Sequence, residues 1–153
     1  MRVIILFTVL LTGISSCTSH KAALPAIRPF AFNDSGMQVI TTIINEKSGE
    51  VAMLYGNPAA MAGHFNQLAT PQPGAQYKLV TYREQANQFW FGSDINGELL
   101  RVETVDMPPV TSGKAPAYSL QNYNGDQYTP ADAGERATFI PTIDRAWYPC
   151  DPH

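Results

Sequence analysis

Charge is scarce in this chain. Only 15% of its 153 residues are Asp, Glu, Lys or Arg, and 13 acidic against 10 basic residues leave a formal charge of −3. No basic run or stripe is present, so the electrostatic footprint of a nucleic-acid-binding protein is missing. Cysteine is scarcer still: Cys17 and Cys150 are too few for a disulfide framework, and no second matching pair joins Cys150 and His153 to complete a four-ligand zinc site. The apolar run over 3–11 is about nine residues, short of the roughly 20 needed to cross a bilayer. There is no internal repeat, no heptad and no low-complexity tract. The serines and histidines form no nucleophile motif such as G-x-S-x-G, which removes support for a recognisable hydrolase route.

Turn formers are plentiful by contrast. Twelve prolines and eleven glycines predict a turn-rich domain with a fairly neutral surface.

The first residues have the layout of an export signal: Arg2 supplies the positive charge, and the apolar run over 3–11 has the length of a signal core. Ile14-Ser15-Ser16-Cys17 follows, an aliphatic residue, two small ones and a cysteine, which resembles the lipobox of bacterial lipoproteins. The expectation is a signal peptide over 1–16, cleavage before Cys17, and a membrane anchor through lipid on that cysteine. The competing reading is an ordinary secretory signal cut nearby, with Cys17 left free to pair. With Cys17 lipidated, Cys150 is buried, free, or paired with another molecule. Ser19 stands where an Asp would favour inner-membrane retention, which points to the outer membrane facing the periplasm.

Cleavage leaves 137 of the 153 residues, enough for one domain with a real core. Residues 17–34 show no sustained period and read as a tether, which leaves 35–153 for a single domain. Val, Ile and Thr over 37–44, turn chemistry over 45–49 and an apolar run over 51–55 predict an antiparallel hairpin. Asn57-Pro58 predicts a helix start, with Met61, Phe65 and Leu68 on one face. Strands are predicted over 77–83, 88–91, 98–105 and 117–123, with Asn96-Gly97 as the hairpin turn before the third and alternating burial along it. Thr129-Pro130-Ala131-Asp132 predicts a capped second helix reaching about Ile140, where Pro141 stops it. The order implies an α+β fold: an antiparallel sheet of about five or six strands with two helices packed on one face.

Phe89, Trp90 and Phe91 are candidates for lining an apolar pocket for a flat ligand. On a strand, core packing explains most of that segment. His64 reads first as a helix-flank residue and second as a ligand contact, since no second ligand stands one turn away. Glu46, Glu50, Glu84, Glu98 and Glu103 read as solvated carboxylates without a fixed pairing. Cys150 and His153, three residues apart, read as a frayed C-terminus, and no metal site is expected.

The stretch 51–105 resembles the cytochrome P-460 domain family. The resemblance runs through Leu54-Tyr55-Gly56-Asn57 with Ala59-Ala60, Pro73-Gly74-Ala75 leading into Leu79-Val80-Thr81-Tyr82, and Phe89-Trp90-Phe91-Gly92. It implies an exported, mainly antiparallel β domain with helices, and a homodimer as one possible assembly. The family's cytochromes use a c-type haem held by C-x-x-C-H near the C-terminus. Here that end reads Trp147-Tyr148-Pro149-Cys150-Asp151-Pro152-His153, so covalent haem is not implied. The expected function is a non-catalytic envelope lipoprotein that binds a small ligand or an envelope protein and carries no cofactor. The alternative is a periplasmic redox enzyme or gas-binding protein holding haem non-covalently, with His64 or His153 as axial ligand.

Overall fold

Five stretches rich in β-branched and aromatic residues form one antiparallel meander, ordered β1-β2-β3-β4-β5. The computed structural model describes residues 32–33, 35–65 and 71–144. Cys17, Leu68, Cys150, His153 and the 147–153 segment lie outside the described residues. The strands are β1 (Gln38–Asn45), β2 (Glu50–Gly56), β3 (Gln76–Ala86), β4 (Asp94–Asp106) and β5 (Ala117–Asn122). Helix α1 (Pro58–Phe65) joins β2 to β3, and α2 (Ala133–Phe139) follows β5 and runs into a 3-10 turn at Ile140–Thr142. The fold is α+β and mostly sheet.

The hairpin predicted over 37–55 forms with Asn45 opposite Glu50. Asn57 starts α1 as its sequence predicts, because its Oδ1 accepts from the amide of Ala60 at 3.0 Å. The same side chain ties the helix to the sheet: Oδ1 also accepts from Gln76 N at 3.1 Å, and Nδ2 donates to the Gly74 carbonyl at 2.9 Å.

Side chains alternate along a strand, so neighbours in sequence feed opposite faces of the sheet. Leu54, Tyr77, Leu79 and Val105 join Ala60 and Met61 of α1 and Ala137 and Ile140 of the C-terminal segment in one buried cluster. Tyr55, Val80, Tyr82, Leu99 and Val102 join Met37 in a second, with Phe32, Met53 and Tyr123 packed beside them. Two clusters explain why β4 departs from the half-buried alternation expected of it. Leu99, Leu100, Arg101, Val102 and Glu103 are all buried.

Three local expectations are corrected. No strand forms over 88–91, which is the turn between β3 and β4. Asn96-Gly97 is not a hairpin turn but part of β4. Tyr82 pairs with Leu99 and Glu84 with Asn96, so β4 carries one extra residue there. A Cβ on Gly97 would stand 2.9 Å from the Arg83 carbonyl oxygen, so the glycine serves a β-bulge where two backbones approach. Finally, α2 is capped by Asp132 rather than Thr129: the Asp132 carboxylate accepts from Gly134 N at 2.7 Å and Glu135 N at 3.1 Å.

Candidate functional site

The β3–β4 hairpin outruns the rest of the sheet. Its neighbour β2 ends its pairing with Glu50 opposite Arg83, whereas β3 and β4 continue through Glu84–Asn96, Gln85–Ile95 and Ala86–Asp94. Glu84 N still donates to the Gly49 carbonyl at 2.9 Å, so the last two pairs, at about 3.4 Å each, make a two-stranded arm roughly 7 Å long beyond the sheet. At its end Phe89, Trp90 and Phe91 are 78%, 72% and 103% exposed. Three adjacent large aromatic side chains outside any core are the feature of this surface that asks for a partner, since isolated exposed apolar residues are common but contiguous ones are not. Their reading as core is therefore overturned.

The turn that presents them is held by its own polar groups. Asn87 N donates to the Ser93 carbonyl at 2.9 Å, and Trp90 N and Ser93 N donate to the carbonyls of Asn87 and Trp90, each at 3.3 Å. Phe89 N donates to Asn87 Oδ1 at 3.0 Å, and Ser93 Oγ to the Trp90 carbonyl at 3.2 Å. Asn87 makes the Asx turn that bends the chain away from the strand, which the β propensity of Phe-Trp-Phe does not reveal.

His64 is placed elsewhere. It sits half-buried in the last turn of α1, its ring edge-on to Tyr77 with centroids 5.8 Å apart. Tyr77 lies near the start of β3 while the aromatic tip lies past Ala86, a separation of about 30 Å at strand rise. The structure does not bring His64 together with the aromatic tip, so the four candidate residues do not line one pocket.

Two buried charge networks escaped the sequence reading. Arg101, on β4, donates from Nη2 to Glu50 Oε2 at 2.7 Å, and from Nη1 to Glu50 Oε1 at 3.0 Å and Asp126 Oδ2 at 3.2 Å. The Tyr128 ring covers its guanidinium at 4.4 Å. Burial opposes the charge on Arg101, but the hydrogen bonds to Glu50 and Asp126 outweigh it and raise its pKa. The Arg101 hydrogen bond in turn lowers the pKa of Glu50. In the second network Glu103, 1% exposed, accepts from Arg136 of α2 and from the Tyr118 hydroxyl at 2.9 Å. Burial, then the bond to Glu103, raises the Tyr118 pKa. Glu50 and Glu103 are thus ion-paired rather than solvated. A charged residue flanked by Leu99, Leu100, Val102 and Val105 was the available signal.

Beside α2 lies an open cleft of about 290 Å³, lined by Tyr128, Pro130, Asp132, Arg136 and Phe139 among others. Its cation is already committed, since Arg136 is paired with Glu103 and stacked 5.4 Å from the Phe139 ring centre. Its lining holds no histidine, cysteine or methionine, and Tyr128 is the one residue there of a type that ligates haem iron. Among the described residues no group of three His, Cys, Asp or Glu is placed to hold a metal ion.

No family model matches this chain, and no curated protein matches it.

Proposed function

We propose that this chain is an envelope lipoprotein, anchored through lipid on Cys17 to the outer membrane facing the periplasm, whose domain is a non-catalytic docking module. The contact is the arm tip, and the exposure of Phe89, Trp90 and Phe91 carries the reading. Aromatic side chains bury large area at little entropic cost, which makes them the usual anchors of a docking contact. A small ligand in a pocket is the weaker form of this function, because the tip is convex and His64 stands far from it. The lipobox-like Ile14-Ser15-Ser16-Cys17 supports the anchor. We further infer a fold of cytochrome P-460 type with both helices on one sheet face, supported by the one cluster that contains residues of both α1 and α2.

Photo-crosslinking in living cells tests this. A photoreactive residue at Phe91 should form an adduct, to lipid or to protein, that the same residue at exposed Ser119 on β5 does not form. Equal yields at both positions, or none, would remove the docking reading. Cys17→Ser should move the protein out of the membrane fraction that resists an alkaline wash, and unchanged fractionation would remove the lipid anchor.

A further inference from the structure

We propose that the partner of the aromatic tip is a lipid bilayer, with Phe89, Trp90 and Phe91 seated in its interfacial layer. This rests on the docking reading above and names the class of surface involved.

The tip has the chemistry of an interfacial anchor. Residues 87–93 read Asn-Gln-Phe-Trp-Phe-Gly-Ser, with no charged side chain among them, so entry of the turn into a low-dielectric layer desolvates no ion while exposed Asp94 at its base stays at the aqueous boundary. Trp is favoured at the membrane–water boundary because its ring is apolar and its indole N–H can still meet a polar group there. The backbone of the turn is suited to that environment as well. The amides of Asn87, Phe89, Trp90 and Ser93 all donate within the turn, so they reach the interface already satisfied.

Geometry and charge favour a membrane over a protein partner. Two ladder pairs, about 7 Å, hold the turn clear of the sheet, so it can reach the interfacial layer, where segments bury their apolar faces about 5–10 Å deep. The seven residues of the turn carry no charge, and Asp94 at its base is the one flanking charge next to it, so little electrostatic complementarity is on offer to fix register with a protein partner. The reach is sufficient too. The fifteen residues of 17–31 span at most about 50 Å when extended, and β4, the longest strand, is about 43 Å long. An anchor at Cys17 therefore permits the distal tip to contact the same membrane.

The test uses the full protein as its native host exports and processes it, with Trp147→Phe so that Trp90 is the one tryptophan left of two. On phosphatidylcholine vesicles its emission should move to shorter wavelength, be quenched by bromine on the acyl chains, and become less accessible to acrylamide. High salt should leave these changes in place, because no charge carries the contact. Phe89→Ser with Phe91→Ser should abolish them. If Trp147→Phe does not fold, the difference between the native protein and Trp90→Phe reports the same signal. Emission that stays at the water-exposed wavelength, with full acrylamide access, overturns the proposal. In that event a protein adduct at position 91 in cells would retain the docking reading with a different partner, and the absence of any adduct would remove both.

Discussion

Glu103 and Arg136 lie 33 residues apart and meet in a two-pronged ion pair, with Nε to Oε1 at 2.8 Å and Nη2 to Oε2 at 2.7 Å. The pair pins α2 to β4. Glu103 is 1% exposed, so its charge is out of water, and among the described residues Arg136 and the Tyr118 hydroxyl are hydrogen-bonded to it in compensation.

Removing the cation should therefore cost more than the usual surface pair. Arg136→Ala is expected to destabilise the domain by about 2–3 kcal/mol, below the 3–5 kcal/mol of fully buried pairs because Arg136 retains partial exposure. Arg136→Ala combined with Glu103→Met should recover much of the loss, since it removes the stranded carboxylate. Urea unfolding of the three proteins measures this, and a double variant less stable than Arg136→Ala would contradict the account.

The network around Arg101 predicts a pH dependence. Glu50 has a pKa below its ordinary 4.5 in the fold, chiefly through the Arg101 hydrogen bond. An acid whose pKa falls on folding stabilises the native state fully above the unfolded value and loses that contribution as pH drops through the folded one. Stability should thus decline below about pH 4.5, and Glu50→Gln should flatten that part of the profile. Melting temperatures of both proteins from pH 3 to pH 7 check it, and parallel curves would show that Glu50 is not responsible.

Apart from the strand expected over 88–91, the order of elements was readable in the sequence because it depends on local chemistry. Val, Ile and Thr over 37–44, the Asn57-Pro58 start and the strand beginning at Ala117 each announce themselves through propensity or capping, and each forms. The arm was not readable for a physical reason. Phe89-Trp90-Phe91 has strand composition, and the chain turns there through the Asn87 side chain bonding to Phe89 N and through backbone bonds between Asn87, Trp90 and Ser93. Asn96-Gly97 has turn composition but is held inside β4 by pairing with β3, so tertiary pairing overrode a local signal. Arg101 and Glu103 were misread because alternation assumes one wet face, and β4 has none from Leu99 to Glu103.

The tip should be dispensable for folding. Phe89→Ser, Trp90→Ser and Phe91→Ser remove no packed neighbour, so their unfolding midpoints should match the native protein. Leu54→Ala, at 0% exposure in the core, should lose about 2–5 kcal/mol. Denaturation of the four variants separates surface from core, and a large loss from any tip variant would show that the tip is packed.

Gly56 marks a tight crossing between β1, β2 and α1. A Cβ there would meet Ile40 Cδ1 at 2.7 Å and Ala60 Cβ at 2.9 Å, closer than real side-chain atoms approach. Gly56→Ala should cost roughly 1–3 kcal/mol through overpacking. Ile40→Val removes the Cδ1 atom, so in the Gly56→Ala background it should be less damaging than alone. A double-mutant cycle reads that coupling directly, and simple additivity would mean that the backbone yields instead.

Asn57 joins three elements through one side chain, and its variants should separate its roles. Asn57→Ala loses the cap on α1, the bond to Gln76 N and the bond to the Gly74 carbonyl. Loss of a helix cap alone costs about 1 kcal/mol, so the full loss should approach 2 kcal/mol or more. Asn57→Asp keeps an acceptor for Ala60 N and Gln76 N and places negative charge at the helix start, which favours it. It also sets a carboxylate oxygen against the Gly74 carbonyl where a donor stood, so it should fall between the native protein and Asn57→Ala at neutral pH. If Asn57→Asp matched the native protein, the Gly74 bond would contribute nothing, and the link between α1 and the start of β3 would rest on the shared acceptor alone.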